Sequence, residues 1–168
     1  MQALQVSIHT LEEMKEDDGP KGHVEPPSFF FGPPGLYTLG ALLYSHIDDK
    51  EGSNVAKYLD KVLEFARYYE PGSPLQSKIE DEVLYGSAGY LYCLLLLRKH
   101  IGLRHQAEID KVIAMVVEAL MIAGINDKTD YLEYHFPRKR KTPYLGAAHG
   151  TIGVIYMMLK ALQVSPAL

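Results

Sequence analysis

Two kinds of hydrophobic pattern alternate along this chain. Val55, Tyr58, Leu59, Val62, Leu63, Ala66 and Tyr69 fall at helical offsets, with Lys57, Asp60, Lys61, Glu64 and Arg67 on the opposite side. That spacing predicts an amphipathic helix. Ile109, Val112, Ile113, Val116, Val117, Leu120 and Ala123 repeat it, and Leu4, Ile8, Leu11 and Met14 fit the same template near the N-terminus. The second pattern is apolar on every side and covers residues 36–44, 90–97 and 154–162. A helix apolar all round must be buried, whereas an amphipathic one shows water its polar face. Together they predict an all-α fold in two layers, apolar helices inside and amphipathic ones outside. Phe29-Phe30-Phe31 is too brief to force a sheet.

Each apolar segment is preceded by a glycine pair: Gly32 and Gly35, Gly86 and Gly89, Gly150 and Gly153. Three pairs in register with the helix alternation define an internal repeat. Stacked helical hairpins of this kind form a solenoid or, if they close, a toroid. Two readings of the glycines stand. They allow a tight entry turn and close backbone approach, or they expose helix-start N–H groups of Gly86, Gly89, Gly150 and Gly153 to an anionic or carbonyl ligand. The connections are polar and rich in Gly and Pro, as loops are. The longest covers residues 126–143 and ends near the basic run Arg138-Lys139-Arg140-Lys141; a nuclear signal or a phosphate contact is one reading of that run, and a solvated loop is the plainer one.

Candidate chemistry sits beside the second and third pairs. His149 directly precedes Gly150 in an otherwise apolar stretch, and Tyr85 stands at the same offset in the second repeat. Imidazole titrates near neutral pH, which suits a general acid or base; a buried, hydrogen-bonded core histidine is the plainer reading. Asp81 and Glu82 lie just upstream of Tyr85. If the repeats superimpose, Glu82 and His149 share one rim; otherwise these carboxylates are solvated or make an outward salt bridge. The other histidines lack metal-ligand spacing.

The 168 residues suit a single domain or a piece of a larger one, and 17 basic against 21 acidic residues leave a net charge of −4. That balance argues against a dedicated nucleic-acid binder. A single cysteine, Cys93, excludes an internal disulfide and any thiolate-rich zinc site; within its apolar run it reads as an inert core thiol. Neither of the longest apolar stretches reaches the ~18 residues of a spanning helix, and the start of the chain lacks the pattern of a secretory signal. A cytoplasmic location follows as the expectation, with peripheral membrane contact left open.

The segments Leu84-Tyr85-Gly86-Ser87-Ala88-Gly89-Tyr90-Leu91-Tyr92 and Tyr144-Leu145-Gly146-Ala147-Ala148-His149-Gly150-Thr151-Ile152-Gly153-Val154-Ile155-Tyr156 resemble successive signatures of the LanC-like proteins, eukaryotic relatives of bacterial lanthionine cyclases. Phe29-Phe30-Phe31-Gly32-Pro33-Pro34-Gly35 is similar to an earlier signature. The resemblance covers nearly the whole chain and implies a partial α/α toroid over residues 1–168, about three of the family's seven hairpins. It implies zinc-assisted thiol addition to dehydroamino acids in peptides or proteins, glutathione as a thiol ligand, and association with the plasma membrane as well as the cytoplasm. By the motif match, His149 falls on the active-site histidine, and Glu82, or else Asp81, at the active-site carboxylate. The family's zinc ligands come from later repeats, so zinc is not expected to bind this chain and catalysis is expected to be incomplete. Alternatives are a non-catalytic scaffold binding glutathione or a protein, and a glycosidase using paired carboxylates. An open arc of hairpins would also leave apolar flanks exposed, predicting self-association.

Overall fold

The computed structural model describes residues 25–47, 52–101, 103–139 and 142–164. It is all-α, with no strand among the described residues. The helices are α1 (Pro33–His46), α2 (Ser53–Leu63), α3 (Ser87–His100), α4 (Gln106–Gly124) and α5 (Thr151–Val164). The predicted N-terminal helix lies outside the described residues.

Helices α1, α3 and α5 are the three apolar segments, and each begins at a glycine pair. They form one row, α1 against α3 and α3 against α5. Helix α2 packs on α1, and α4 packs on α3 and α5. This is the two-layer arrangement that the alternating patterns require. The core lies between the layers, where Leu59, Leu91, Leu94, Ile109, Ile113 and Val116 are fully buried. The Tyr90 hydroxyl donates across that core to the Val62 carbonyl at 2.8 Å, tying α3 to the end of α2.

Two details depart from the sequence pattern. The amphipathic segment predicted through Tyr69 is α-helical only to Leu63, and Glu64–Tyr68 continues as a 3₁₀ turn. A 3₁₀ turn eclipses positions i and i+3, and here it brings Phe65 and Tyr68 into the core together. Second, α5 departs from the rule that an all-apolar helix is buried but meets the expectation of an open arc: it is covered on one side only. Ile152, Tyr156 and Leu159 are exposed, whereas Pro34, Thr38 and Ala41, at the same offsets from the second glycine in α1, are buried.

The glycine pairs have a shared geometric reason. A Cβ added to Gly32, Gly35, Gly86, Gly89, Gly150 or Gly153 would overlap the carbonyl oxygen six residues earlier. Each loop therefore folds back onto the start of its own helix, closer than any side chain permits. Hydrogen bonds seal the fold-back at a constant separation: Gly35 N–H to the Ser28 carbonyl, Ala88 N–H to Asp81, and Thr151 N–H to Tyr144.

Candidate functional site

Superimposing the repeats on their second glycine gives every loop position an equivalent. Ser28, Glu82 and Gly146 stand seven residues before it; Phe31, Tyr85 and His149 stand four before it. The first position caps its own loop. The Phe31 N–H donates to Ser28 Oγ at 3.1 Å. In the second loop the Glu82 carboxylate does more: Oε2 accepts the Leu84 N–H at 2.9 Å, and Oε1 accepts the Tyr85 N–H. In the third loop glycine leaves this position empty of a side chain.

The loops also hold one another. Ser28 Oγ–H donates to the Leu84 carbonyl, linking the first loop to the second. The Val83 N–H donates to the Ala148 carbonyl at 3.1 Å, linking the second to the third. These links bring Glu82 and His149 together. His149 Nδ1 lies 2.8 Å from Glu82 Oε2, across 67 residues of sequence. Glu82 is 2% exposed, while the His149 side chain keeps 27% of its surface. The carboxylate is thus the buried anchor, and the imidazole is the part that water or substrate can reach.

The position four before the glycine forms an aromatic ladder, one rung per repeat. Phe31 stacks on Tyr85 at 4.7 Å between centroids, and Tyr85 lies parallel to His149 at 6.0 Å. Phe136 covers the His149 ring more closely, at 4.2 Å and 10°, and Tyr144 meets it edge-on at 6.1 Å.

Asp81 goes elsewhere. Its carboxylate takes the Arg138 guanidinium in a fork, with Nε donating to Oδ2 at 3.0 Å and Nη2 to Oδ1. Burial pushes the Asp81 carboxyl up from its ordinary range, and Arg138 works against that shift. Burial also raises the neighbouring Glu80. Both Asp81 and Glu82 are buried, which corrects the view of them as solvated or outward-facing. Arg138 is likewise anchored instead of free in solvent. A cavity of about 210 Å³ lies on this side, lined by Asp81, Ala123, Glu133, His135 and Arg138.

The four glycines named as candidate binding residues, Gly86, Gly89, Gly150 and Gly153, are buried against loop carbonyls. The N–H groups of Gly89 and Gly153 point at the Gly86 and Gly150 carbonyls. The sequence pattern did not single out Ser28 or Phe136, and it placed Arg138 in a solvated basic run. Ser28 had a signal, since it shares its offset with Glu82. Phe136 had none, and nothing in the basic run pointed from Arg138 to Asp81, because their partners lie in another loop.

The donor set of the described residues does not fit zinc. Among the described residues no group of three or more His, Cys, Asp or Glu is placed to hold a metal. Cys93 is fully buried in α3, and burial pushes its thiol up to about 12, the opposite of what a thiolate ligand needs. No helix among the described residues is long and apolar enough to cross a membrane.

Comparison with known proteins agrees with this architecture. Residues 9–166 match the family described as lanthionine synthetase C-like protein. A LanC-like protein GCL1 of Arabidopsis thaliana is 29% identical over 140 residues, covering 79% of this chain and 30% of the relative. A protein of Danio rerio named glutathione S-transferase LANCL1 is 25% identical over 142 residues, covering 79% of this chain and 32% of the relative. The chain thus spans about a third of the length of these relatives. With a family match over nearly all its residues and the helical repeat that carries it, this chain belongs to the lanthionine synthetase C-like family.

Proposed function

We propose that the Glu82–His149 pair is a proton-handling site for adding a thiol, with glutathione as the thiol class, to a dehydroamino acid in a peptide or protein. The observation that carries this reading is the 2.8 Å contact between a buried carboxylate and a half-open imidazole. Glu82 Oε2 already accepts a backbone N–H, so it serves as the acceptor toward His149 and Nδ1 carries the shared proton. Nε2 is then the nitrogen turned to the reaction. A buried carboxylate that fixes one ring nitrogen sets the tautomer and orients the other. The name of the zebrafish relative, a glutathione S-transferase, supports the thiol class.

The step is as follows. The thiolate sulfur forms a bond to the β-carbon, and the π electrons move through the α-carbon onto the carbonyl as an enolate. Protonated His149 Nε2 then delivers a proton to the α-carbon, leaving a thioether and a neutral imidazole. General acid catalysis of this kind contributes roughly 10²–10⁴-fold. Among the described residues no cluster could hold a metal that would activate the thiol, so the role assigned to these residues is the proton transfer.

The test gives the chain a dehydroalanine peptide and glutathione, at a pH where part of the glutathione is thiolate, and follows the adduct by mass spectrometry. The chain should accelerate addition, and His149→Ala should remove the acceleration with little loss of thermal stability. Equal rates for the two proteins would overturn the proposal. The other reading, a scaffold that binds without turnover, is favoured by the absence of a thiol-activating donor set among the described residues. It predicts heat on titrating glutathione and no adduct above background.

A further inference from the structure

We infer that Asp81 and Arg138 are positioning residues, a clasp that holds the Phe136 ring across the face of His149. The inference rests on the reading of His149 as the proton-handling group. It assigns the two adjacent carboxylates complementary tasks. Glu82 grips the imidazole by its edge, and Asp81, acting through Arg138 and Phe136, restrains it by its face.

The geometry is specific. The Phe136 ring lies 4.2 Å from the His149 ring and nearly parallel. The loop carrying Phe136 is anchored on both sides. On one side Tyr134 donates its hydroxyl proton to the Leu120 carbonyl at 2.8 Å and its N–H to Thr151 Oγ1 at 3.2 Å. On the other side is Arg138. Its guanidinium forks onto Asp81, its Nη1 donates to the Gln76 carbonyl at 3.0 Å, and its backbone N–H donates to Glu80 Oε2 at 3.1 Å. All four bonds run to residues 76–81, on the approach to the loop that carries Glu82.

The chemistry favours arginine here for a physical reason. A planar guanidinium matches a carboxylate in two parallel bonds and has a further N–H for the Gln76 carbonyl, whereas lysine offers a single point charge. Asp81 is nearly enclosed, with 8% of its side chain exposed, so water competes weakly for the pair. The single bond from Nδ1 to Glu82 leaves the imidazole free to rock about that bond. A parallel ring at van der Waals distance removes that freedom, because rocking would drive one face into Phe136. Pre-organised orientation of this kind matters to a proton donor that must meet one carbon.

The test reads ring position without any turnover. His149 ring protons lying over the Phe136 face are shifted upfield by its ring current. In chain labelled at histidine, at a pH where imidazole is neutral, His149→Gln assigns the signal. Asp81→Asn and Arg138→Lys should each lose most of the upfield displacement while the chain stays folded. Phe136→Leu should lose at least as much of it as either clasp variant, and Phe136→Tyr should keep it. If Asp81→Asn does not fold, Arg138→Lys carries the same test, since it retains the charge and the alkyl stem. A folded Arg138→Lys protein whose His149 signal stays at the wild-type position overturns the clasp. Failure of the dehydroalanine assay would remove the functional reading and leave this ring-shift result standing, so the two are told apart.

Discussion

Replacing Glu82 with glutamine keeps size and shape and removes one acceptor oxygen. The cost can be worked from the contacts. In the wild type one oxygen accepts the Leu84 N–H and meets His149 Nδ1, and the other accepts the Tyr85 N–H. An amide has a single oxygen. If it faces Tyr85, the amide nitrogen meets the Leu84 N–H donor to donor; if it is flipped, the same collision falls on Tyr85. Either way one backbone N–H loses its acceptor, which costs about 1–3 kcal/mol when the group stays dry. Tyr85 is 38% exposed and Leu84 is half-buried, so water can replace part of the loss. The expected destabilisation is therefore at the low end, about 1–2 kcal/mol. Glu82→Ala orphans both N–H groups and leaves a void, so it should cost about 2–4 kcal/mol. His149→Ala leaves both backbone bonds to Glu82 in place and should cost least. Urea unfolding of the three variants, followed by circular dichroism, gives the order directly. Glu82→Gln and Glu82→Ala both within about 0.5 kcal/mol of wild type would refute the carboxylate as the loop's cap.

Gly89→Ala sets two effects against each other. Alanine gains about 1 kcal/mol in helix propensity, but its Cβ would overlap the Val83 carbonyl and crowd Ser28. A clash against backbone should win, giving net destabilisation of about 1–2 kcal/mol; a more stable variant in thermal melts would contradict the close-approach argument. Cys93 ionises in the folded chain only near 12, against about 8.5 when unfolded. The native state therefore holds its proton more tightly in that window, and stability falls as pH rises through it. Alkylation near pH 8 should follow global unfolding, and a native-state rate like that of free cysteine would show that Cys93 is open to solvent. The apolar strip of α5 should drive weak self-association. Ile152→Glu with Leu159→Lys should move sedimentation toward monomer, and an unchanged, already monomeric profile would remove the strip as the cause.

The layer arrangement was legible because it depends on periodicity, and burial enforces periodicity. The pairing of Glu82 with His149 was legible for a different reason: the repeat gave both residues a common frame, so their loops could be set side by side without coordinates. The Asp81–Arg138 fork was not legible. Its partners are 57 residues apart, and Arg138 opens a run of four basic residues whose ordinary environment is water. Charge runs describe an average surface, and one member can leave it when a buried acid needs a partner. The end of α2 was misjudged because 3₁₀ and α turns place apolar residues at similar spacing over one turn. The exposed side of α5 was legible from the number of hairpins and not from the helix pattern, because an apolar helix is buried only where something covers it.

The constant separation between capping position, aromatic rung and second glycine makes each eight-residue loop an interchangeable cassette. Ser28, Glu82 and Gly146 are three settings of a single dial. Gly146 has an ordinary backbone twist, and a side chain grown there meets only the edge of the Tyr144 ring. An acid introduced at position 146 would therefore stand in the same frame as Glu82, with no change to the helices that carry the loops.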